Sequence, residues 1–379
     1  MQRRSFPKIP SLQLSTLGLG AMRLPTLPGE PGKPAAIDEA RAAGLVHAAI
    51  EAGVNYLDTA WVYHGGQSEP FLGRALRGGW REKVQLATKC PVWEVQSAAD
   101  AERILEEQLR RLETDHVDFY LLHALDGARW KAVRKKAIPA LERARKDGRI
   151  RHLGFSFHGA YRDFKEIIDA YDWAFTQIQL NYLDTDYQAG LAGLAYAAQR
   201  RVGVVVMEPL RGGALAKAPP EVVQRLAQAG RPWSPASWAL RWVWSQPGVV
   251  TVLSGMGQLE ELRENVASAA EAAPLTAAEL AAVEAATAFY RARMAVDCTT
   301  CGYCQPCPSG VAVPDIFAHW NSAAMFEDAK GAAWAYRTFQ LGSGHGADQC
   351  NQCGHCETMC PQELAIPELL EKAHEALTR

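Results

Sequence analysis

An α/β fold is what this sequence predicts: a closed (β/α)8 barrel followed by a small, α-rich, cysteine-dense domain. Three observations carry that expectation. Short apolar, strand-like runs alternate with helical patterns eight times within about 270 residues. That count fits a closed barrel better than an open doubly wound sheet, and no early G-x-G-x-x-G opens the first helix. Eight of the nine cysteines fall between Cys298 and Cys360, in C-x-x-C runs that suit metal ligation better than a disulfide framework.

The 379 residues provide for two domains, or for one barrel with an extension. With 48% hydrophobic and 22% charged residues, a sizeable core is expected and wholesale disorder is not. A formal net charge of -2 gives no electrostatic case for nucleic acid or an anionic membrane as partner. No apolar run approaches the ~18 residues of a membrane span. Arg3-Arg4-Ser5-Phe6 has the look of a twin-arginine export signal, but no apolar stretch follows it, so a cytoplasmic location is expected.

In chain order, residues 6–15 alternate loosely and predict a hairpin leading into a first barrel strand over 17–22. The stretch 24–36, with four prolines and two glycines, predicts a long loop, and a helix follows over 38–52. Strand and helix then repeat as 56–60 with 68–77, 84–89 with 99–113, and 117–123 with 130–147, the last helix stopped by Asp147-Gly148. Four further units are expected: 150–156 with 161–170, 175–181 with 187–201, 203–208 with helices between 219 and 246, and 249–254 with 258–270. An Ala-rich helical stretch, 276–291, bridges to the cysteines, so we place a domain boundary near residue 291, giving domains 1–290 and 291–379. Between the two cysteine runs, 316–341 is aromatic and helix-like.

The strand ends carry reactive groups. Asp58-Thr59-Ala60-Trp61-Val62-Tyr63 closes the second strand, Lys89 the third and His123 the fourth. Taken singly, Asp58 could cap a helix, Tyr63 could be a loop aromatic, Lys89 a solvated strand end and His123 a satisfied core histidine. Together, at the end of a barrel where active groups gather, they make a proton-transfer site. An ammonium beside a phenol lowers the phenol's pKa.

Several marks in the right order give the chain a plain resemblance to the aldo-keto reductase family over roughly residues 10–290. They are Leu17-Gly18-Leu19-Gly20, Asp58-Thr59-Ala60 with Tyr63, Ser68-Glu69, Thr88-Lys89, Leu122-His123, Gly154-Phe155-Ser156 and Glu264-Asn265. The resemblance implies a TIM barrel with Tyr63 as general acid/base, Lys89 as its electrostatic partner, Asp58 as the anchor of Lys89, and His123 orienting the substrate. It also implies a nicotinamide cofactor, with Ser156 and Gln177 at the carboxamide and Arg211-Gly212-Gly213 at the pyrophosphate. Met207 stands where many members stack a tyrosine on the nicotinamide, Pro209 and Leu210 follow it, and Glu264 and Asn265 meet the adenine. Gly255 and Glu261 occupy positions where basic residues often clamp a 2′-phosphate, leaving Arg263 close by, so NADP and NAD both stay open. A flavin against Met207 is conceivable, but no second flavin-binding segment is visible. Trp61, His64, Trp93 and the long loop after the first strand are expected to line the pocket for a small carbonyl or alcohol.

The cysteine runs are Cys298-x2-Cys301-x2-Cys304-x2-Cys307-Pro308 and Cys350-x2-Cys353-x2-Cys356-x3-Cys360-Pro361. The second has the bacterial spacing for a [4Fe–4S] cluster, and the first departs from it by one residue. Two tetrahedral zinc sites are the alternative. Both runs resemble a two-cluster ferredoxin-like module, which implies two [4Fe–4S] clusters. On that pattern Cys298, Cys301, Cys304 and Cys360 hold one, and Cys350, Cys353, Cys356 and Cys307 hold the other. Cys90 is expected in the barrel core.

The combination resembles a bacterial branch of the family with a C-terminal ferredoxin-like domain. It implies carbonyl–alcohol interconversion, with clusters that serve structure or exchange electrons with a redox partner protein. A second reading is a nicotinamide-binding redox sensor or electron-transfer adaptor with little turnover. A third is radical chemistry fed by a low-potential donor.

Overall fold

The chain opens with an antiparallel hairpin, β1 (Arg3–Phe6) and β2 (Ile9–Ser15), in which Arg3 lies opposite Ser15. Eight parallel strands then close into a barrel: β3 (Leu17–Gly20), β4 (Tyr56–Asp58), β5 (Gln85–Cys90), β6 (Val117–Leu125), β7 (Ile150–Phe157), β8 (Phe175–Gln179), β9 (Gly203–Met207) and β10 (Val249–Ser254), with β10 pairing back to β3. This computed structural model describes residues 1–28, 35–298, 300, 302–360 and 362–379. The helices that follow the barrel strands are α1 (Glu39–Glu51), α2 (Ser68–Ala75), α3 (Ala98–Arg111), α4 (Gly127–Lys146), α5 (Tyr161–Ala170), α6 (Gly190–Gln199), α7 (Pro220–Ala227), α8 (Pro235–Trp244) and α9 (Leu259–Ala270). After the barrel come α10 (Ala277–Arg291), α11 (Val313–Phe326), α12 (Ala329–Tyr336), the short α13 (His355–Thr358) and α14 (Ile366–Thr378). None of the described helices is long and apolar enough to cross a membrane.

The chain divides into two compact units. One comprises Met1–Thr185, Ala189–Ala216 and Ala236–Thr276; the other comprises Asp186–Gln188, Lys217–Pro235 and Ala277–Arg379.

In the first unit, apolar side chains from alternate strand positions fill the barrel: Tyr56, Ala87, Phe119, Leu121, Phe175, Val205 and Val250 are all buried. The hairpin supplies a plug for this core. Phe6 is fully buried, its ring 5.5 Å from Phe119 and 6.2 Å edge-on from Phe175. Gly203 makes room for it, since a Cβ there would stand 2.2 Å from the Phe6 ring. α4 begins at Gly127, three residues before the expected start of the helix. The reason is a cap: Asp126 accepts a hydrogen bond from the Arg129 N–H at 2.8 Å.

In the second unit, α10 packs on α7, and α11 packs on α12 and α14. The helix-like stretch between the cysteine runs is two helices rather than one. Glu327 takes a left-handed conformation (φ 55°), and Asp328 caps α12 by accepting from Gly331 N at 2.9 Å. α14 lies beyond the expected elements, although Ile366, Leu370, Ala373 and Leu377 recur at helical spacing and all are buried. Asn321 holds the chain just before the first cysteines, accepting from Val296 N (2.9 Å) and donating to Val296 O (2.8 Å).

Candidate active site and cysteine cavities

The C-terminal ends of the barrel strands open into a cavity of about 630 Å³. Asp58 ends β4, and Lys89 sits one residue before the end of β5. Parallel pairing puts Ala87 opposite Asp58, so the Lys89 side chain reaches back to the neighbouring strand. Its ammonium donates to Asp58 Oδ1 at 2.5 Å, to Thr59 O at 2.8 Å and to the Tyr63 hydroxyl at 3.2 Å. Lys89 is 1% exposed and Asp58 2%. Tyr63 reaches this point from a turn whose next two residues, His64 and Gly65, have positive φ.

The electrostatics follow from that burial. Burial alone lowers the Lys89 pKa, but Asp58 and Tyr63 outweigh it and hold the ammonium above its usual value. Burial pushes the Asp58 carboxyl up while Lys89 pulls it down; the 2.5 Å contact and the raised lysine make the ion pair the state this geometry fits. For Tyr63, burial raises the phenol and Lys89 lowers it, with a net rise. The lowering expected from a neighbouring ammonium is therefore present but smaller than the cost of placing a phenolate in a buried site.

His123 lies in β6 within the register shift between Leu122 and Leu125, where Ala124 takes a positive φ of 53°. Its ring stands 6.3 Å edge-on from Tyr63 and 5.3 Å from Trp93. Burial, with Lys89, His158 and Arg129 adding repulsion, pushes its pKa down to about 2, so the imidazole is neutral. Its Nδ1 is buried and has no hydrogen-bond partner among the described residues.

Ser156 and Gln177 face each other across the β7–β8 pair and line the cavity. Ser156 Oγ accepts from Ala124 N at 2.7 Å, which leaves its own hydrogen available. Gln177 donates to Met207 Sδ at 3.4 Å, while its Oε1 is buried without a partner. After β9, Glu208, Arg211, Gly212 and Gly213 all have positive φ, and Pro209, Leu210, Gly212 and Gly213 line the cavity with Met207. At Gly213 (φ 96°) nothing stands within 4 Å of where a Cβ would be, so the tightly curled turn leaves open space.

Some expected site residues stand elsewhere. Arg211 does not line the cavity; its Nε donates to Asp184 Oδ2 at 3.1 Å. Glu264 is exposed on α9, and Asn265 is buried, donating to Ser254 Oγ at 3.1 Å, so it touches the cavity wall through Ser254. Among the pocket aromatics, His64 lines the cavity, but Trp61 lies under the Arg111 guanidinium at 3.8 Å and Trp93 is 42% exposed. His158, Ser254 and Arg23 line the cavity without having been singled out. The strand-end rule that found Lys89 covers Ser254 and His158, at or just beyond the ends of β10 and β7. Nothing in the local sequence marks Arg23.

In the second unit the described cysteines fall into two groups. Cys298, Cys304 and Cys360 line one small cavity with Phe317, Leu364 and Ile366. Cys307, Cys350, Cys353 and Cys356 line another with Pro367 and Leu370, and Val313 forms part of both walls. Cys301 lies outside the described residues. No described group of three or more His, Cys, Asp or Glu side chains is close enough to hold a single metal ion. Cys90 is fully buried in β5, and burial pushes its thiol up to about 12.

Comparison with known proteins is consistent along the chain. Residues 16–288 match the sequence profile of the aldo/keto reductase family, and residues 297–366 that of a 4Fe-4S dicluster domain. Methylglyoxal reductase YeaE of Escherichia coli (strain K12) is 31% identical over 268 residues, 66% of this chain and 86% of its own. L-galactose dehydrogenase of Arabidopsis thaliana is 28% identical over 292 residues, covering 69% and 86%. Among solved structures, the holo form of aldo-keto reductase AKR11C1 from Bacillus halodurans superposes with a TM-score of 0.63 at 27% identity, over 76% of this chain and 96% of that one.

Proposed function

The chain belongs to the aldo/keto reductase family and carries a 4Fe-4S domain after its barrel, and from that premise we propose that it interconverts a small carbonyl compound and its alcohol with a nicotinamide dinucleotide, NADP or NAD. The observation that carries this reading is the unbroken contact from Asp58 through the Lys89 ammonium to the Tyr63 hydroxyl on the cavity wall.

When bound, the dinucleotide supplies the hydride. The residues supply everything else. Tyr63 gives its proton to the carbonyl oxygen, and Lys89, held charged by Asp58, stabilises the phenolate that remains. His123, neutral, offers a hydrogen-bonding ring nitrogen to the same oxygen without adding charge. The wall fits a nicotinamide: the unpartnered Gln177 Oε1 suits the NH2 of a carboxamide, and the free hydrogen of Ser156 suits its oxygen. The Gly212–Gly213 turn supports a place for the pyrophosphate, and the adenine end is assigned to the side of Ser254, behind which Asn265 is buried.

In the tail, Cys298, Cys301, Cys304 and Cys360 would hold one [4Fe–4S] cluster, and Cys350, Cys353, Cys356 and Cys307 a second. The grouping of the described cysteines around two cavities supports that division. Bound clusters supply one-electron exchange with a redox partner protein, or fasten the domain. This reading keeps the functional boundary near residue 291, between the two stretches matched by the family profiles.

Tyr63→Phe tests the reading. Carbonyl reduction should fall by roughly 10²–10⁴-fold while dinucleotide affinity is retained. Turnover unchanged in the variant would remove Tyr63 from the chemistry, and unchanged output in a redox-partner assay would favour the sensor reading.

A further inference from the structure

We propose that Arg23, on the turn after β3, holds the phosphates of the dinucleotide; the inference rests on the nicotinamide-dependent reading above. A dinucleotide brings at least two negative charges at its pyrophosphate, and its pocket must answer them. The basic residues nearest the expected phosphate positions are engaged elsewhere. Arg211 is paired with Asp184 at 3.1 Å, and Arg263 on α9 pairs with Glu260 at 3.6 Å. Glu261 bends back onto its own helix start, accepting from Gly257 N (2.8 Å) and Gln258 N (3.3 Å). Lys89 lines the cavity but is buried against Asp58.

Arg23 also lines the cavity, it is exposed, and among the described residues no carboxylate pairs with it. Its stem lies across Gly255. A Cβ on that glycine would stand 3.0 Å from Arg23 Cβ and 3.1 Å from both Cγ and Cδ. Its head points to the turn after β9, with Nη2 3.4 Å from where a Gly212 Cβ would be. Glu208 Oε2 stands 3.7 Å from that same point, so the guanidinium and one carboxylate flank the turn. The bare position at Gly255, which removes a side chain from the strand-end loop, thus admits an arginine from a different loop into the same space. Its backbone is anchored there: Leu24 N donates to His64 Nε2 at 3.3 Å.

Isothermal titration of NADPH and of NADH into the intact, cluster-loaded chain under anaerobic conditions tests this, comparing the natural protein with Arg23→Gln and Arg23→Lys. Arg23→Gln should weaken binding by about tenfold or more and flatten its dependence on salt, with Arg23→Lys in between. Equal loss for both dinucleotides assigns the contact to the pyrophosphate; loss for NADPH alone assigns it to the 2′-phosphate. If the natural protein binds and Arg23→Gln stays within about twofold for both ligands at low salt, the assignment is wrong. If the natural protein binds neither dinucleotide, the proposed function falls with it.

Discussion

Tyr63 and His123 face the same cavity with pKa values displaced in opposite directions, and the displacement fixes how the reaction should respond to pH. Reduction needs the phenol in its protonated form, which is present below its pKa. Because burial lifts that pKa above the ordinary value of about 10, the proton stays in place through neutral pH. His123, pushed down to about 2, is neutral over the same range and contributes no ionisation near 6.5. The rate of carbonyl reduction at saturating substrate should therefore stay flat from about pH 6 to pH 9 and fall only above about 10. A limb near pH 6.5 that disappears in His123→Asn would show that the imidazole titrates where the buried geometry says it does not. The strand-end residues behind this behaviour could be named from the sequence, because alternating apolar runs mark where each strand stops. The sign of the Tyr63 shift could not, since it depends on how much water the folded cavity excludes.

At the scale of elements, the turn that carries Tyr63 is held from behind by α2 and α3. Arg111, the last residue of α3, lies over the Trp61 ring at 3.8 Å while pairing with Glu69 at 3.4 Å and Glu107 at 2.8 Å. Glu69 is itself buried and accepts from Thr88 and from Gln108, each at 2.6 Å. Gln108 also donates to Lys89 O at 3.0 Å, so one polar network touches both the strand of Lys89 and the loop of Tyr63. Arg111→Ala should lower kcat by roughly 10–100-fold through a misplaced Tyr63, leaving dinucleotide affinity unchanged, as steady-state kinetics and titration can measure together. Ser68-Glu69 stood out in the sequence as a family mark, yet its purpose was hidden. Neither the partners of Glu69 nor the tilt of Arg111 onto Trp61 is visible until α3 is laid across the loop. The turning of Arg211 towards Asp184 was hidden for the same reason, since Asp184 lies 27 residues from Arg211 and on another loop.

For the whole molecule, the eightfold alternation and the two cysteine runs were legible because both are patterns of spacing. The barrel closes with β10 against β3 as that alternation implies. Less legible was α14, whose apolar face makes sense only once α11 is there to receive it. The ligand sets proposed for the tail cross between the runs, which makes a test at the level of the intact protein. Cys307→Ala changes the first run, yet it should remove the cluster assigned to Cys350, Cys353 and Cys356, cutting iron from about eight towards four per chain by metal analysis. Loss of iron from the other site alone would refute the crossing.

The cavity lined by Cys298 and Cys304 takes its remaining described sulfur from Cys360, only nineteen residues before Arg379. On the proposed ligation, the first site to be translated is also one of the last to be finished. A ribosome must pass residue 360, and the nascent segment must emerge, before the cluster that uses Cys360 can be inserted, whereas the other has all its proposed ligands once Cys356 is made. A product stalled before residue 360 would therefore lack a ligand of the cluster that begins at Cys298, the one whose first ligands are made earliest.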